Sequence, residues 1–184
     1  MNKPQRICSI DASTNSMAFA IFDGVKLDAC GKITFNGATT YEKVADACRK
    51  VNAFISQFNV DAIVIEHTVF INSPKTAADL ALVQGAMLGA AGLHGVVIAG
   101  SVNPITWQLS IGNGKLTKPE LLELKNGNPG KSEAWLKAHA REIRKQRTIK
   151  FVNTYYDKKI YDNDIADAIG IGHWAIHNWE KLTK

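Results

Sequence analysis

Hydrophobic positions along the chain follow two rhythms. Arg6–Asp11 is a short apolar run, with Ile7, Cys8 and Ile10, that ends in an acid. Ser16–Phe22 and Val25–Phe35 follow it, parted by a turn at Asp23-Gly24, and the close spacing of the three runs predicts antiparallel hairpins. The rhythm then lengthens. Thr39 and Glu42 form a Thr-x-x-Glu capping box. Behind it, Tyr41, Val44, Cys48, Val51, Ile55 and Phe58 recur at helical spacing. Val60–Glu66 is a second buried strand ending in an acid. Ser73-Pro74 is an N-cap and first-turn pair, and it predicts a helix to about Gly92 rich in alanine and glycine. Val96–Ala99 is a further strand. From Pro104 to Gly130, Gly112-Asn113-Gly114 and Asn126–Gly130 break the pattern. Ser132–Thr148 predicts a basic helix with a possible continuation to Tyr156, and Asp164–Trp179 a final one.

The resulting order is β-β-β-α-β-α-β, an irregular stretch, then helices. A leading meander followed by crossover units predicts an α/β fold with a mixed five-stranded sheet flanked by helices. At 184 residues the expectation is one domain spanning 1–184, with a basic insertion at about 115–145.

Chemistry enters at the ends of these elements. Asp11 and Glu66 each close an otherwise apolar strand, and ligands of open α/β sheets gather beyond the carboxyl ends of the strands. Either acid alone reads more often as a turn carboxylate. Asp164 and Asp167 are three apart and share one face of the last helix's first turn. Acids also favour helix N-termini for electrostatic reasons, and Asp162 fits as a cap. Four carboxylates gathered together would repel one another without cations. Hard oxygen donors in that number suit Mg²⁺ or Mn²⁺ rather than zinc, and two such ions serve phosphodiester cleavage.

Composition adds less. No run approaches the roughly 18 uncharged apolar residues of a membrane span, and residues 1–6 show no signal-peptide apolar region, so the expected location is intracellular. Cys8, Cys30 and Cys48 lack metal-type spacing and are expected to be reduced core thiols. The net charge of +5 is moderate but uneven, with twelve Lys and Arg between Lys115 and Lys159. These read as a solvated helix face or as a footprint for a polyanion, and composition does not choose.

With these residues in place, the sequence resembles the RuvC-type Holliday junction resolvases of the RNase H-like superfamily. Ile7-Cys8-Ser9-Ile10-Asp11 is similar to the family's opening strand, although Ala12 and Ser13 stand where a glycine is usual. Ile65-Glu66-His67-Thr68-Val69-Phe70, continued through Gln84 and Gly85, resembles its Glu strand and following helix. Asp164-Ile165-Ala166-Asp167-Ala168 is similar to its closing Asp-x-x-Asp-Ala motif. The resemblance implies catalytic, metal-holding roles for Asp11, Glu66, Asp164 and Asp167, with two Mg²⁺ ions for which Mn²⁺ can substitute. It also implies a homodimer that cuts branched DNA (a four-way junction above all), leaving 5′-phosphate and 3′-hydroxyl ends. Phe70 falls near the aromatic that opens the junction in relatives. Lys118, after Gly112-Asn113-Gly114, and Lys145, by its distance from Asp164, both match the family's active-site lysine, and that choice stays open. Lys115, Arg147 and Lys150 complete the expected DNA contacts. The implied location is the cytoplasm of a bacterial or phage-infected cell. His67 and His173 are expected to be structural, since neither shares a face with the acids.

Two other readings compete. Ile10-Asp11-Ala12-Ser13-Thr14 also resembles the first phosphate motif of the actin-like ATPases, which need a second domain and a second phosphate motif. A DNA-binding protein that kept the fold and lost the activity is the other, and the presence of all four acids argues against it.

Overall fold

The computed structural model describes residues 3–68 and 73–182. Strands β1 (Arg6–Ala12), β2 (Ser16–Asp23) and β3 (Lys26–Thr34) form the predicted meander. Helix α1 (Thr40–Phe58), strand β4 (Ala62–Glu66), helix α2 (Pro74–Leu93) and strand β5 (Val97–Val102) follow. The sheet order is β3-β2-β1-β4-β5, with β1 antiparallel to β2 and parallel to β4. The expected mixed five-stranded sheet is therefore present, and β1 is its central strand.

A central strand is covered on both faces, which is why β1 is buried continuously from Ile7 to Ile10. Alternation still sorts its side chains. Cys8 and Ile10 join the core beneath α1 and α2, with Val51, Phe54, Val83 and Met87. Ile7 joins the opposite core, built with α6 (Asn163–His177). Ser9 lies on that same side, its hydroxyl donating to Ala168 O at 2.7 Å. Ala62 and Val64 of β4 belong to the α6 core too. Continuing both alternations by two residues puts Asp11 and Glu66 on the α6 side.

Two glycines let α6 lie close. A Cβ at Gly172 would collide with the Phe22 ring and Ser9 Oγ, and one at Gly170 would meet Trp107 Cζ3 at 2.6 Å. Gly172→Ala gains about 1 kcal/mol of helix propensity. Overpacking against a strand costs about 1–3 kcal/mol, occasionally more, and here both the ring and the hydroxyl are held by the core. We expect a net loss of about 2 kcal/mol, read as a lower urea midpoint; an unchanged midpoint would show that the helix can step back.

The structure corrects several details. Residues 104–130 are more regular than expected, holding α3 (Pro104–Ser110) and α4 (Lys118–Asn126). Asn103 accepts from Ile105 N ahead of Pro104, and Thr117 with Glu120 forms a capping box. Both signals are local, but the intervening glycines leave room for only short helices. Helix α5 runs unbroken from Glu133 to Tyr156. The last helix stops at His177, and α7 (Trp179–Leu182) turns away. By length and composition α2 could cross a membrane. The expectation missed this because Lys75 and Asp79 interrupt its apolar run; its Val83, Met87, Ala90 and Ala91 pack into the core. All three cysteines are free, but only Cys8 is core; Cys30 and Cys48 are half-buried. Ser13 explains the missing glycine after Asp11. Its hydroxyl accepts from the amides of Asn15 and Ser16 at 3.2 and 3.0 Å, so the turn closes without a left-handed residue.

Candidate active site

The four predicted acids meet at one end of the sheet. Asp11 and Glu66 arrive from the carboxyl ends of the parallel pair β1 and β4. Asp164 and Asp167 come from the first turns of α6. Asp162 caps that helix, with its Oδ1 accepting from Asp164 N at 2.8 Å and Ile165 N at 3.2 Å. With Asp162 serving as the cap, neither Asp164 nor Asp167 is needed for that task.

Their charges act on one another. Burial, then the charges of Glu66, Asp167 and Asp164, push the Asp11 carboxyl up to about 8. Burial, then Glu66 and Asp164, push Asp167 up to about 7, against the Thr148 hydroxyl and the Lys145 ammonium. Burial also raises Glu66, and the Trp107 indole acts the other way. Such mutual raising requires proximity and a low local dielectric.

Two residues of this site escaped sequence reasoning. Trp107, fully buried on α3, donates Nε1–H to Glu66 Oε1 at 2.8 Å. Lys32 of β3 reaches Asp162 Oδ2 at 3.2 Å and Asp164 Oδ2 at 2.5 Å. Neither belongs to a motif. The Asn-Pro pair ahead of Trp107 was the one available hint, and it marks a helix start rather than a site.

The donor set fits hard divalent cations: four carboxylates, oxygen only, of which Asp11, Glu66 and Asp167 have raised pKa values that nearby positive charge would relieve. It is not a finished cage. Among the described residues, no three His, Cys, Asp or Glu side chains stand around a common point as ligands. The hydrogen bonds say why. Glu66 is turned to Trp107, and Asp164 is held through both oxygens, by Lys32 on Oδ2 and by Asn163 Nδ2 on Oδ1 at 2.5 Å. Repelling acids take whatever donors lie nearest.

The two candidate lysines part company. Both are exposed, but Lys145 acts on Asp167, whereas Lys118 opens α4. Lys115 and Lys150 are exposed. Arg147 is committed to Glu120 at 2.5 Å. Phe70 lies outside the described residues. Lys115, Lys125, Lys137, Arg141 and Arg144 line a cleft of about 730 Å³ between α4 and α5, floored by leucines. His67 is exposed and contacts Ser101 Oγ at 3.1 Å. His173 meets the Tyr156 hydroxyl at 2.7 Å, and burial, then the charge of His177, hold it down to about 4.

Solved structures share this fold. The chain superposes on Thermus thermophilus RuvC in complex with a Holliday junction substrate with a TM-score of 0.67, at 15% identity, over 95% of this chain and 97% of that one. The fold is that of RuvC. A second Thermus thermophilus RuvC structure gives a TM-score of 0.65 at 14% identity, covering 96% and 97% of the two chains. The yeast mitochondrial Holliday junction resolvase Ydc2 gives 0.55 at 11% identity, over 100% of this chain and 82% of that one. No family model and no curated protein sequence matches the chain. At these identities the RuvC likeness is one of backbone, so the chemistry must be argued from the residues themselves.

Proposed function

We propose that this protein is a divalent-metal-dependent endonuclease that cuts four-way or related branched DNA, using Asp11, Glu66, Asp164 and Asp167 to hold two Mg²⁺ ions. The observation that carries the proposal is the meeting of these four acids, from β1, β4 and α6, within the RuvC fold. Bound there, the cations would supply the Lewis acidity that polarises a phosphodiester and makes water a competent nucleophile.

The chain's own residues do the rest. Asp11, which feels the charges of Glu66, Asp167 and Asp164, would be the acid that serves both ions. Lys145 rather than Lys118 is the lysine for charge developing on the phosphate, because its ammonium already acts on Asp167. Lys115 and the other cations of the α4–α5 cleft, together with exposed Lys150, extend a positive surface along the same helix for the DNA backbone. Cleavage leaves 5′-phosphate and 3′-hydroxyl ends. The protein works as a homodimer, whose two-fold axis matches that of a junction. Helix α2 suits the contact: Leu82 and Leu93 are exposed, and nothing lies within 4 Å of a Cβ built at Gly85 or Gly89.

The test is incubation of the purified protein with a synthetic four-way junction, a fork and a flap, with and without Mg²⁺. Paired, symmetric, ligatable nicks in the junction are expected. Binding without Mg²⁺-dependent cutting of any of the three would establish the inactive, DNA-binding reading instead. Trp107 offers a finer check. Trp107→Phe keeps a ring in the core but removes the donor to Glu66, and loss of a partner behind a metal ligand ordinarily costs about 10–100-fold. Cleavage should fall within that range while folding, read by circular dichroism, is kept. An undiminished rate would mean that the indole only packs.

A further inference from the structure

The carboxylate cluster carries its own cation. In the sheet register Asp11 pairs with Ala18, and Ala18 pairs with Lys32, so the three residues form one row across β1, β2 and β3. Residues in one row point to the same face. Two strand spacings, roughly 10 Å, separate Lys32 from Asp11, and the middle residue is the shortest apolar one. A lysine in this row can therefore lie toward the acids.

Its ammonium ends between Asp162 Oδ2, at 3.2 Å, and Asp164 Oδ2, at 2.5 Å. The first of these contacts is secure, because Asp162 already caps α6 through its other oxygen. The second is different, because Asp164 is an acid of the proposed metal site. Lys32 is part-exposed, with 28% of its side chain accessible, and its four-carbon stem lets the ammonium shift while the strand stays still.

We propose that Lys32 is a resident counter-cation: it neutralises and holds Asp164 in the metal-free protein, and gives up Asp164 Oδ2 while keeping Asp162 when a divalent ion binds. This rests on the reading of Asp164 as a ligand. Lys32 then sets two properties in opposite directions. It stabilises the metal-free fold by relieving repulsion among the acids, and it weakens metal binding by competing for an oxygen. A residue that merely ties β3 to α6 would do only the first.

The experiment uses Lys32→Met, which keeps the stem and removes the charge, with Lys32→Gln as a second variant should the first fail to fold. Mn²⁺ binding is measured by titration calorimetry without DNA, and melting is followed in EDTA. One unit charge about 5 Å away ordinarily shifts a neighbouring ionisation by tenfold or more. The expected result is Mn²⁺ binding about tenfold tighter, with melting in EDTA several degrees lower. Unchanged or weaker Mn²⁺ binding in a folded variant would overturn the proposal. Asp164→Asn, measured alongside, separates the two ideas. If that variant binds Mn²⁺ as the unaltered protein does, the ligand assignment of Asp164 has failed, whatever Lys32 does.

Discussion

Asp11→Asn is expected to lower junction cleavage by about a thousandfold or more while leaving junction binding intact. The central acid is the one whose loss disturbs both proposed ion positions, and divalent cations supply several kcal/mol of transition-state stabilisation in phosphoryl chemistry. The substitution is nearly isosteric, and it removes a charge that burial and three neighbouring acids already oppose. Folding should therefore survive, and affinity for a polyanion should hold or rise, since one repelling charge is gone. Single-turnover cleavage in Mg²⁺ and a mobility-shift assay in EDTA measure the two quantities separately. A variant that cuts within tenfold of the unaltered protein would show that Asp11 is not central to the chemistry. One that neither cuts nor binds would point to a folding defect, to be checked by circular dichroism.

The second large effect is on stability. In the folded, metal-free protein Asp11 keeps its proton up to about pH 8 and Asp167 up to about pH 7, whereas unfolded aspartates lose theirs near pH 4. Between those limits the folded state binds more protons than the unfolded one, so stability falls as pH rises. His173 works in the other direction. Held down to about 4 when folded, it makes stability rise with pH between 4 and its ordinary value near 6.5. Above pH 6.5 the acids act without opposition from His173.

The melting temperature in EDTA should therefore drop between pH 6.5 and 8. Asp11→Asn should recover about 2 kcal/mol at pH 8, a figure set well below the full shift because the site opens to solvent. For a chain of this size that amounts to roughly 4–8 °C. Saturating Mg²⁺ should raise the melting temperature of the unaltered protein at pH 8 and flatten its decline, with little effect on the variant. A metal-free protein equally stable at pH 6.5 and 8 would contradict the crowding of charges on which the site depends.

Much of this was legible because strand ends and helix caps are local events. The apolar run closed by Asp11, its counterpart closed by Glu66, and the Asp162 cap with Asp164 and Asp167 behind it can all be read from a few consecutive residues. The cap turned out to be Asp162, as the capping explanation for an acid at a helix start expected. The fold class was legible for the same reason: three short-spaced strands followed by crossover units leave few topologies. Helices α3 and α4 were not read, although Asn103-Pro104 and Thr117–Glu120 announce them, because the glycines nearby dominate a periodicity scan.

The chain's sequence by itself determined which acids were available, the order of the elements carrying them, and the parity that puts Asp11 and Glu66 on one side of the sheet. Tertiary structure alone decided what joins them. Trp107 meets Glu66 across 41 residues and Lys32 meets Asp164 across 132. The charge of Lys145 is felt by Asp167, and Arg147 is drawn off to Glu120. The physical reason is that hydrophobic periodicity encodes which way a residue faces within its own element. A hydrogen bond or an ion pair depends on the distance between two elements, and that is set only when the sheet and α6 close over the same core.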